Sequence, residues 1–284
     1  MVLRKQVDEN RNRRVFIFGA GKVGATLAHA LRASGAEVQL RAARRGIPRR
    51  QVVADLVILA VRDPSIADVA RAFAKAGVLL SHAIVVHTAG ALGPEVLESL
   101  SLHVAGVAQM HPLFSFASVV RDPHVLDGAT VLTTGDACAL RVVKQVARDL
   151  GARAVVVPKV DRVRYHAAAA LLANGAATLA ALSTSLMIEA GMPSVRVPQA
   201  LAALLRSVAN NLVTIGVPHL LTGPVRRGDL EAIKRQAHTL RGPALEAFRG
   251  LLAPQIELAR QIGDAPSEAL DAIAHWSLGP RPQR

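Results

Sequence analysis

The residues Gly19-Ala20-Gly21-Lys22-Val23-Gly24 carry the spacing G-x-G-x-x-G, directly after the apolar run Val15-Phe16-Ile17-Phe18 and directly before an alanine-rich helical pattern. A glycine triplet alone is weak, but at a strand-to-helix junction each glycine has a task. Gly19 permits the tight turn, Gly21 lets the backbone approach a pyrophosphate, and Gly24 lets helix and strand pack closely. The N-terminus of the helix adds free N–H groups and partial positive charge. The chemistry this predicts is dinucleotide binding. About 20 residues on, a site for NAD(H) usually offers an acidic side chain to the ribose 2′-hydroxyl. Here the second strand, Glu37–Leu40, runs into Arg41, with Arg44 and Arg45 following. Guanidinium groups pair with phosphate through two parallel hydrogen bonds, so the arginines favour NADP(H) over NAD(H). The competing reading is a solvated basic loop.

Such a motif needs a sheet to hold it. Apolar strands are expected at Arg14–Phe18, Glu37–Leu40, Leu56–Ala60, Ala83–His87, Val104–Met110, Thr130–Thr133 and Ala154–Val157. Helical patterns lie at Val23–Ser34, Ile66–Ala76, Pro94–Leu100 and Asp136–Leu150. Alternating strands and helices predict an α/β fold, a Rossmann-type doubly wound parallel sheet. Its ligand crevice lies beyond the carboxyl ends of the strands, where Val61-Arg62-Asp63, His87-Thr88-Ala89-Gly90 and His111-Pro112 fall. After Pro158 the pattern changes to helices at Arg162–Ala190, Pro198–Ile215, Asp229–Leu240 and Pro243–Ile262. The expected organisation is a disordered basic tail (1–13), a dinucleotide-binding domain (14–157), an all-helical second domain for substrate or dimerisation (158–277) and a frayed tail (278–284).

The chain has 284 residues, a formal net charge of +13 and only 3% aromatic residues. The arginines are scattered without aromatic interleaving, so an anionic cofactor or substrate accounts for the charge better than nucleic acid does. One cysteine, Cys138, excludes an internal disulfide and suits a reducing, cytoplasmic compartment. No histidine, cysteine or carboxylate spacing suggests a metal site. The apolar stretch 167–182 contains Asn174, Gly175 and Thr178, which favours a buried helix over a membrane span. Its small residues suit close helix packing, within a subunit or across the two-fold axis of a homodimer.

Six segments together resemble a bacterial family that joins a Rossmann-like domain to a C-terminal helical domain of unknown function. They are Gly19–Gly24, Ala54–Asp63, Val86–Gly90, His111–Phe116, Tyr165–Ala169 and Leu221–Asp229. The family is similar to ketopantoate reductase, pyrroline-5-carboxylate reductase and 6-phosphogluconate dehydrogenase-like proteins. The resemblance implies an NADP-dependent reductase of a small acidic carbonyl or imine compound, a ketopantoate-like 2-keto acid ranking first. A pyrroline-carboxylate-like imine is the alternative, and a dinucleotide-binding regulatory protein without turnover is a further one. Ala89 stands where the family usually has serine, Arg62 where it has proline, and Gln236 where histidine is common.

A reductase must supply a proton as charge develops on the reduced atom, and histidine titrates in the right range. His166, at the start of the first long helix, is the substitute proton donor, since Ala170 occupies the place of the lysine that related dehydrogenases carry four residues before Asn174. Asn174 follows His166 by eight residues, about 80° round a helix and ~12 Å along it. The alternative is that Tyr165 and His166 are a packing pair. His111 precedes a proline, which favours an extended, strand-ending conformation aimed into the crevice; the alternative is a turn histidine bonded to backbone. His87, Thr88, Ala89 and Gly90 are expected near the nicotinamide end. In the second domain Asn210, Asn211, Thr222 and Arg226 are candidates for substrate, with either asparagine alternatively capping a helix. Asp229 reads as a helix N-cap.

Overall fold

The computed structural model describes residues 13–279. The expected tail 1–12 and residues 280–284 lie outside them. Arg13, placed in the tail by sequence, donates to Asp149 at 3.1 Å.

Seven strands form one sheet in the order β2-β1-β3-β4-β5-β6-β7. They are β1 (Arg14–Phe18), β2 (Glu37–Arg41), β3 (Leu56–Leu59), β4 (Ile84–His87), β5 (Gly106–Leu113), β6 (Thr130–Gly135) and β7 (Arg153–Val156). Alternation along the strands sends side chains to two separate cores. Val15, Ile17, Leu56, Ile58 and Val86 meet α1 (Lys22–Ala33) and α3 (Ala137–Asp149) on one face. Phe16, Phe18, Val57, Leu59 and Val85 meet α2 (Ile66–Ala76) and the 3-10 helix Pro94–Leu100 on the other. Both faces are covered, which is why β1, β3 and β4 read as continuous apolar runs.

The doubly wound parallel sheet expected from the alternation is present, with one departure at its edge. β1 to β5 are parallel, but β6 runs antiparallel to β5 and β7 parallel to β6. A parallel return needs a crossover, usually a helix, whereas residues 114–129 form none. This connection is instead held to α1 by the Val120 N–H, which donates to the buried Thr26 Oγ1 at 3.0 Å. The antiparallel pairing also lengthens β5. Its expected end at Met110 gives way to pairing of His111 with Leu132, Pro112 with Val131 and Leu113 with Thr130. Pro112 is accommodated because β4 pairs β5 only as far as Gln109.

Beyond β7 come α4 (Arg162–Glu189), α5 (Val197–Thr214), α6 (Leu230–Thr239), α7 (Gly242–Ile262) and α8 (Ser267–Ser277), the last not anticipated. The chain divides into two compact units inside α4, one ending at Ala173 and the other starting at Asn174. Within the second unit, Val225, Ile233, Leu252, Ile256, Ala259, Leu270 and Ile273 form a core shared by α6, α7 and α8. The expectation that 167–182 is buried is corrected: no residue of α4 is buried, and Leu171 and Leu172 are 78% and 70% exposed. The helix is apolar all round rather than on one stripe, so no single neighbour can cover it.

The β1–α1 turn is the tightest joint of the sheet. A Cβ at Gly19, which has φ +119°, would stand 2.1 Å from the Ala60 carbonyl oxygen; one at Gly24 would stand 1.9 Å from the Gly19 carbonyl oxygen. Gly19→Ala and Gly24→Ala should each lower unfolding stability by about 2–4 kcal/mol, through backbone strain and overpacking. The check is the midpoint of urea unfolding at unchanged slope; midpoints within error of the wild type would refute the close packing.

Candidate functional site

At the carboxyl ends of β1, β2 and β3 lies a cleft of about 720 Å³, lined in part by Gly19, Ala20, Gly21, Arg44, Val61 and Arg62. All six are among the residues expected at a cofactor. The same lining holds Phe18, Ala42, Ala43, Gly46, Ile47, Ala60, Ser65, Asp68, Val69 and Ala72, which were not anticipated. Eight of these are small or apolar and carry no chemical signal of their own; the two polar ones are Ser65 and Asp68, and the Asp68 carboxylate is paired with Arg71.

The third glycine task is visible here. Unlike its two neighbours, Gly21 has nothing within 4 Å of where a Cβ would stand. No protein contact requires glycine there, and the space is left open at the N-terminus of α1, which no side chain caps. Open backbone beside uncapped N–H groups suits a phosphate. Lys22 and Val23 open the helix, Lys22 exposed and Val23 half-buried, and neither lines the cleft.

The arginines separate. Arg44 lines the cleft. Arg41 does not: its Nε donates to the Gly46 carbonyl and its Nη2 to the Arg45 carbonyl, both at 2.8 Å. Two of its donors help close the loop 42–46, while its Nη1 has no hydrogen bond among the described residues. Arg45 is exposed and outside the lining.

A second cluster sits around Gly90, at the ends of β4 and β5. His87 is fully buried. Its Nδ1 accepts from the Ala89 N–H at 3.2 Å, and its Nε2 lies 2.9 Å from the Gly93 carbonyl, to which it donates. Both nitrogens are used, and burial holds its pKa below the ordinary histidine value. His87 is therefore corrected from a cofactor contact to a pin for the loop 88–93. Thr88 is half-buried, and its hydroxyl has no hydrogen bond among the described residues. Gln109, not anticipated, is also fully buried, and its Nε2 donates to the Ala89 carbonyl at 2.8 Å and the Gly90 carbonyl at 3.3 Å. A lone amide in the apolar strand Val107-Ala108-Gln109-Met110 was its signal in the sequence.

His111 and His166 flank this pinned loop. A Cβ at Gly90 would lie 2.8 Å from His111 Nε2 and 2.7 Å from His166 Nδ1, and the two rings are 6.2 Å apart. His111 does not end a strand as expected; it sits within β5, and its Nδ1 lies 2.9 Å from the Tyr165 hydroxyl. Tyr165 and His166 thus do more than pack on each other. Burial, with His166 and His87 adding smaller effects, holds the His111 pKa down to about 4. His111 is neutral near pH 7, while His166 is exposed to solvent.

The remaining candidates belong to the second unit. Asn174 and Asn210 are exposed and Asn211 partly so, so neither helix asparagine of α5 is a buried group needing a partner. Thr222 is exposed. Arg226 is corrected as a substrate ligand: its Nε and Nη2 both meet Asp264 at 2.7 Å, and Nη1 donates to the His219 and Leu221 carbonyls. It staples a loop and has no free edge for a carboxylate. Asp229 caps α6, accepting from the Ala232 N–H at 2.9 Å. Among the described residues no three histidine, cysteine or carboxylate side chains are grouped to hold a metal.

Comparisons with known proteins address the fold. A Rossmann-like domain model matches residues 4–112, and that of a domain of unknown function, DUF2520, matches residues 129–254. No curated protein matches significantly. A provisionally named NADP oxidoreductase from Bacteroides fragilis is similar in structure, with TM-score 0.67 and 18% identity over 89% of this chain and 98% of that one. A protein from Thermotoga maritima gives TM-score 0.62 and 23% identity over 87% and 99%. Plasmodium falciparum pyrroline carboxylate reductase, solved with NADP bound, gives 0.56 and 11% over 94% and 97%. At these identities the likeness is one of fold.

The folded pKa of His111, near 4 against the ordinary 6.5, has a consequence for stability. The unfolded chain takes up this proton more readily, so the stabilisation is complete above pH 6.5 and is lost as pH falls toward 4. At about 1.4 kcal/mol per pKa unit the loss is on the order of 3 kcal/mol. In His111→Gln, urea unfolding measured from pH 7 to 4 should show a correspondingly shallower decline, with His87 accounting for part of what remains. An unchanged pH slope would mean that His111 is not held neutral. The chain is a Rossmann-like protein with a C-terminal DUF2520 domain.

Proposed function

We propose that this protein is an NADP(H)-dependent oxidoreductase that reduces the double bond of a small acidic imine or carbonyl compound. The observation that carries the reading is the division among three glycines: Gly19 and Gly24 are demanded by backbone packing, whereas Gly21 opens onto free space at an uncapped helix N-terminus, on the rim of the cleft. Arg44 supports NADP(H) over NAD(H) by standing in that cleft where the second strand ends. The nicotinamide cofactor, when bound, supplies the hydride. Around it, the chain's own groups have separable tasks. The N-terminus of α1 binds phosphate, Arg44 a 2′-phosphate, and His87 with Gln109 keeps the Ala89–Gly90 backbone rigid. Neutral His111 offers a hydrogen bond to the reduced oxygen or nitrogen, and solvent-exposed His166 gives that atom its proton and takes another from water. For the substrate, the fold shared with a pyrroline carboxylate reductase favours a cyclic imine over the ketopantoate-like 2-keto acid that the sequence resemblance put first. A cytoplasmic location suits the single cysteine.

The protein acts as a homodimer through its helices. In the first unit Leu171 and Leu172 on α4 are exposed; in the second, Leu204, Leu205, Val208, Leu212 and Val213 on α5 are 46–87% exposed, and exposed apolar surface of this kind marks an interface. α4 is also long and apolar enough to cross a membrane by length and composition. Its high content of alanine, together with Asn174, Thr178, Ser183, Thr184 and Ser185, favours packing against another helix.

By titration calorimetry NADPH should bind at least tenfold tighter than NADH, and Arg44→Ala should remove most of that preference, a charge-assisted bond being worth about 1.5–3 kcal/mol. Gly21→Ala should fold normally and lose both nucleotides. Equal affinities in the wild type would sink the NADP(H) assignment. Binding without oxidation of NADPH across a panel of cyclic imines and 2-keto acids would replace the reductase with a dinucleotide-binding regulator. In sedimentation the wild type should run as a dimer and Leu172→Glu as a monomer that still binds NADPH; a monomeric wild type would remove the dimer.

A further inference from the structure

The hydroxyl of Tyr165 and Nδ1 of His111 are 2.9 Å apart, and the two rings meet edge to face with centroids at 5.6 Å. A phenol both donates and accepts, while a neutral imidazole carries one proton on one of its two nitrogens. Two arrangements would satisfy the distance. In one, the phenol donates to a bare Nδ1 and the imidazole proton sits on Nε2. In the other, Nδ1–H donates to the phenol oxygen and Nε2 is bare.

Donor and acceptor strength discriminates between them. Tyr165 is half-buried, and its hydroxyl has no other hydrogen-bond partner among the described residues. Each arrangement leaves one proton without a protein acceptor, the Nε2–H in the first and the phenol proton in the second. A phenol, however, is the more acidic donor, and its oxygen, conjugated with the ring, is a weak acceptor, whereas a bare imidazole nitrogen accepts strongly. The first arrangement matches the stronger donor to the stronger acceptor. Burial raises the Tyr165 pKa above its ordinary value, so the hydroxyl keeps its proton near neutral pH, and burial keeps His111 uncharged. We infer that Tyr165 is a positioning residue whose hydroxyl donates to His111 Nδ1 and so locks the His111 proton on Nε2.

That nitrogen is the one turned toward Gly90, 2.8 Å from where a Cβ would stand, and no atom of the described residues accepts from it. The Gly90 backbone beside it is held in turn by Gln109. A fixed Nε2–H is a hydrogen-bond donor without acceptor capacity. It selects a ligand that brings a lone pair to this point: a carbonyl oxygen, an imine nitrogen or a carboxylate. The selection of a reducible double bond rests on the reductase reading above; the tautomer does not.

The test uses the full chain with ¹⁵N-labelled histidine, His111 being assigned by the signals lost in His111→Gln. Near neutral pH, wild-type Nδ1 should give the shift of an unprotonated nitrogen and Nε2 that of a protonated one. Tyr165→Phe removes one oxygen and keeps the ring, and should bring the two shifts toward a common average. A wild-type proton on Nδ1, or shifts unmoved in Tyr165→Phe, would overturn the lock. With whichever imine or keto acid is reduced, Tyr165→Phe should lower kcat roughly tenfold and leave KM for NADPH unchanged; unchanged kcat alongside a lost tautomer would overturn the functional consequence. A wild type that reduces nothing on the panel yet shows the stated tautomer would sink the reductase reading and leave the lock standing.

Discussion

The joint between β1 and α1 depends on two backbone segments touching where a side chain would ordinarily keep them apart. Gly19 and Gly24 leave no room for a single added carbon, with Ala60 at the end of β3 filling the remaining space. Because protein interiors are packed near crystalline density, such a contact has little slack. It brings the N-terminus of α1 over the end of the sheet and aims its uncapped N–H groups at the cleft. Gly21, between them, is spared from packing by the same geometry. The open rim of the cleft is thus a by-product of how closely helix and strand approach.

The Gly90 cluster is built by a different device. The strand order brings the ends of β4 and β5 together, and two buried polar side chains, His87 and Gln109, spend their hydrogen bonds on the loop between residues 88 and 93. Both ring nitrogens of His87 and the amide nitrogen of Gln109 are paired in this conformation, which an altered loop would leave unpaired, while Gln109 Oε1 has no hydrogen-bond partner among the described residues. His111 and His166 then stand against a loop that cannot easily shift. The same burial that stabilises His87 keeps His111 neutral, so charge and position in this cluster have one cause.

Several residues that look alike in the sequence divide by task once folded. Of Arg41, Arg44 and Arg45, one closes a loop, one lines the cleft and one faces solvent. Arg226 resembles a carboxylate ligand and instead binds Asp264 and two loop carbonyls. An arginine has five donors, and whether they are free is settled by carbonyls and carboxylates that arrive from elsewhere in the chain.

The strands, most of the helices and the glycine turn were legible in the sequence because periodicity and glycine spacing are local properties, set by the backbone period and by steric exclusion at each residue. β1 and α2 fall on the residues expected, and Asp229 caps its helix as its position suggested. Pairing direction, burial and hydrogen-bond partners are properties of residues far apart in the chain, and only the tertiary structure decided them. It turned β6 antiparallel, carried β5 through His111 and Pro112, left α4 without a buried residue, and placed the Tyr165 hydroxyl on a histidine 54 positions away. The sequence determined that a glycine turn of G-x-G-x-x-G spacing joins β1 to α1. Which side chains remain free beside it depended on long-range contacts that use up donors of residues such as His87 and Arg226.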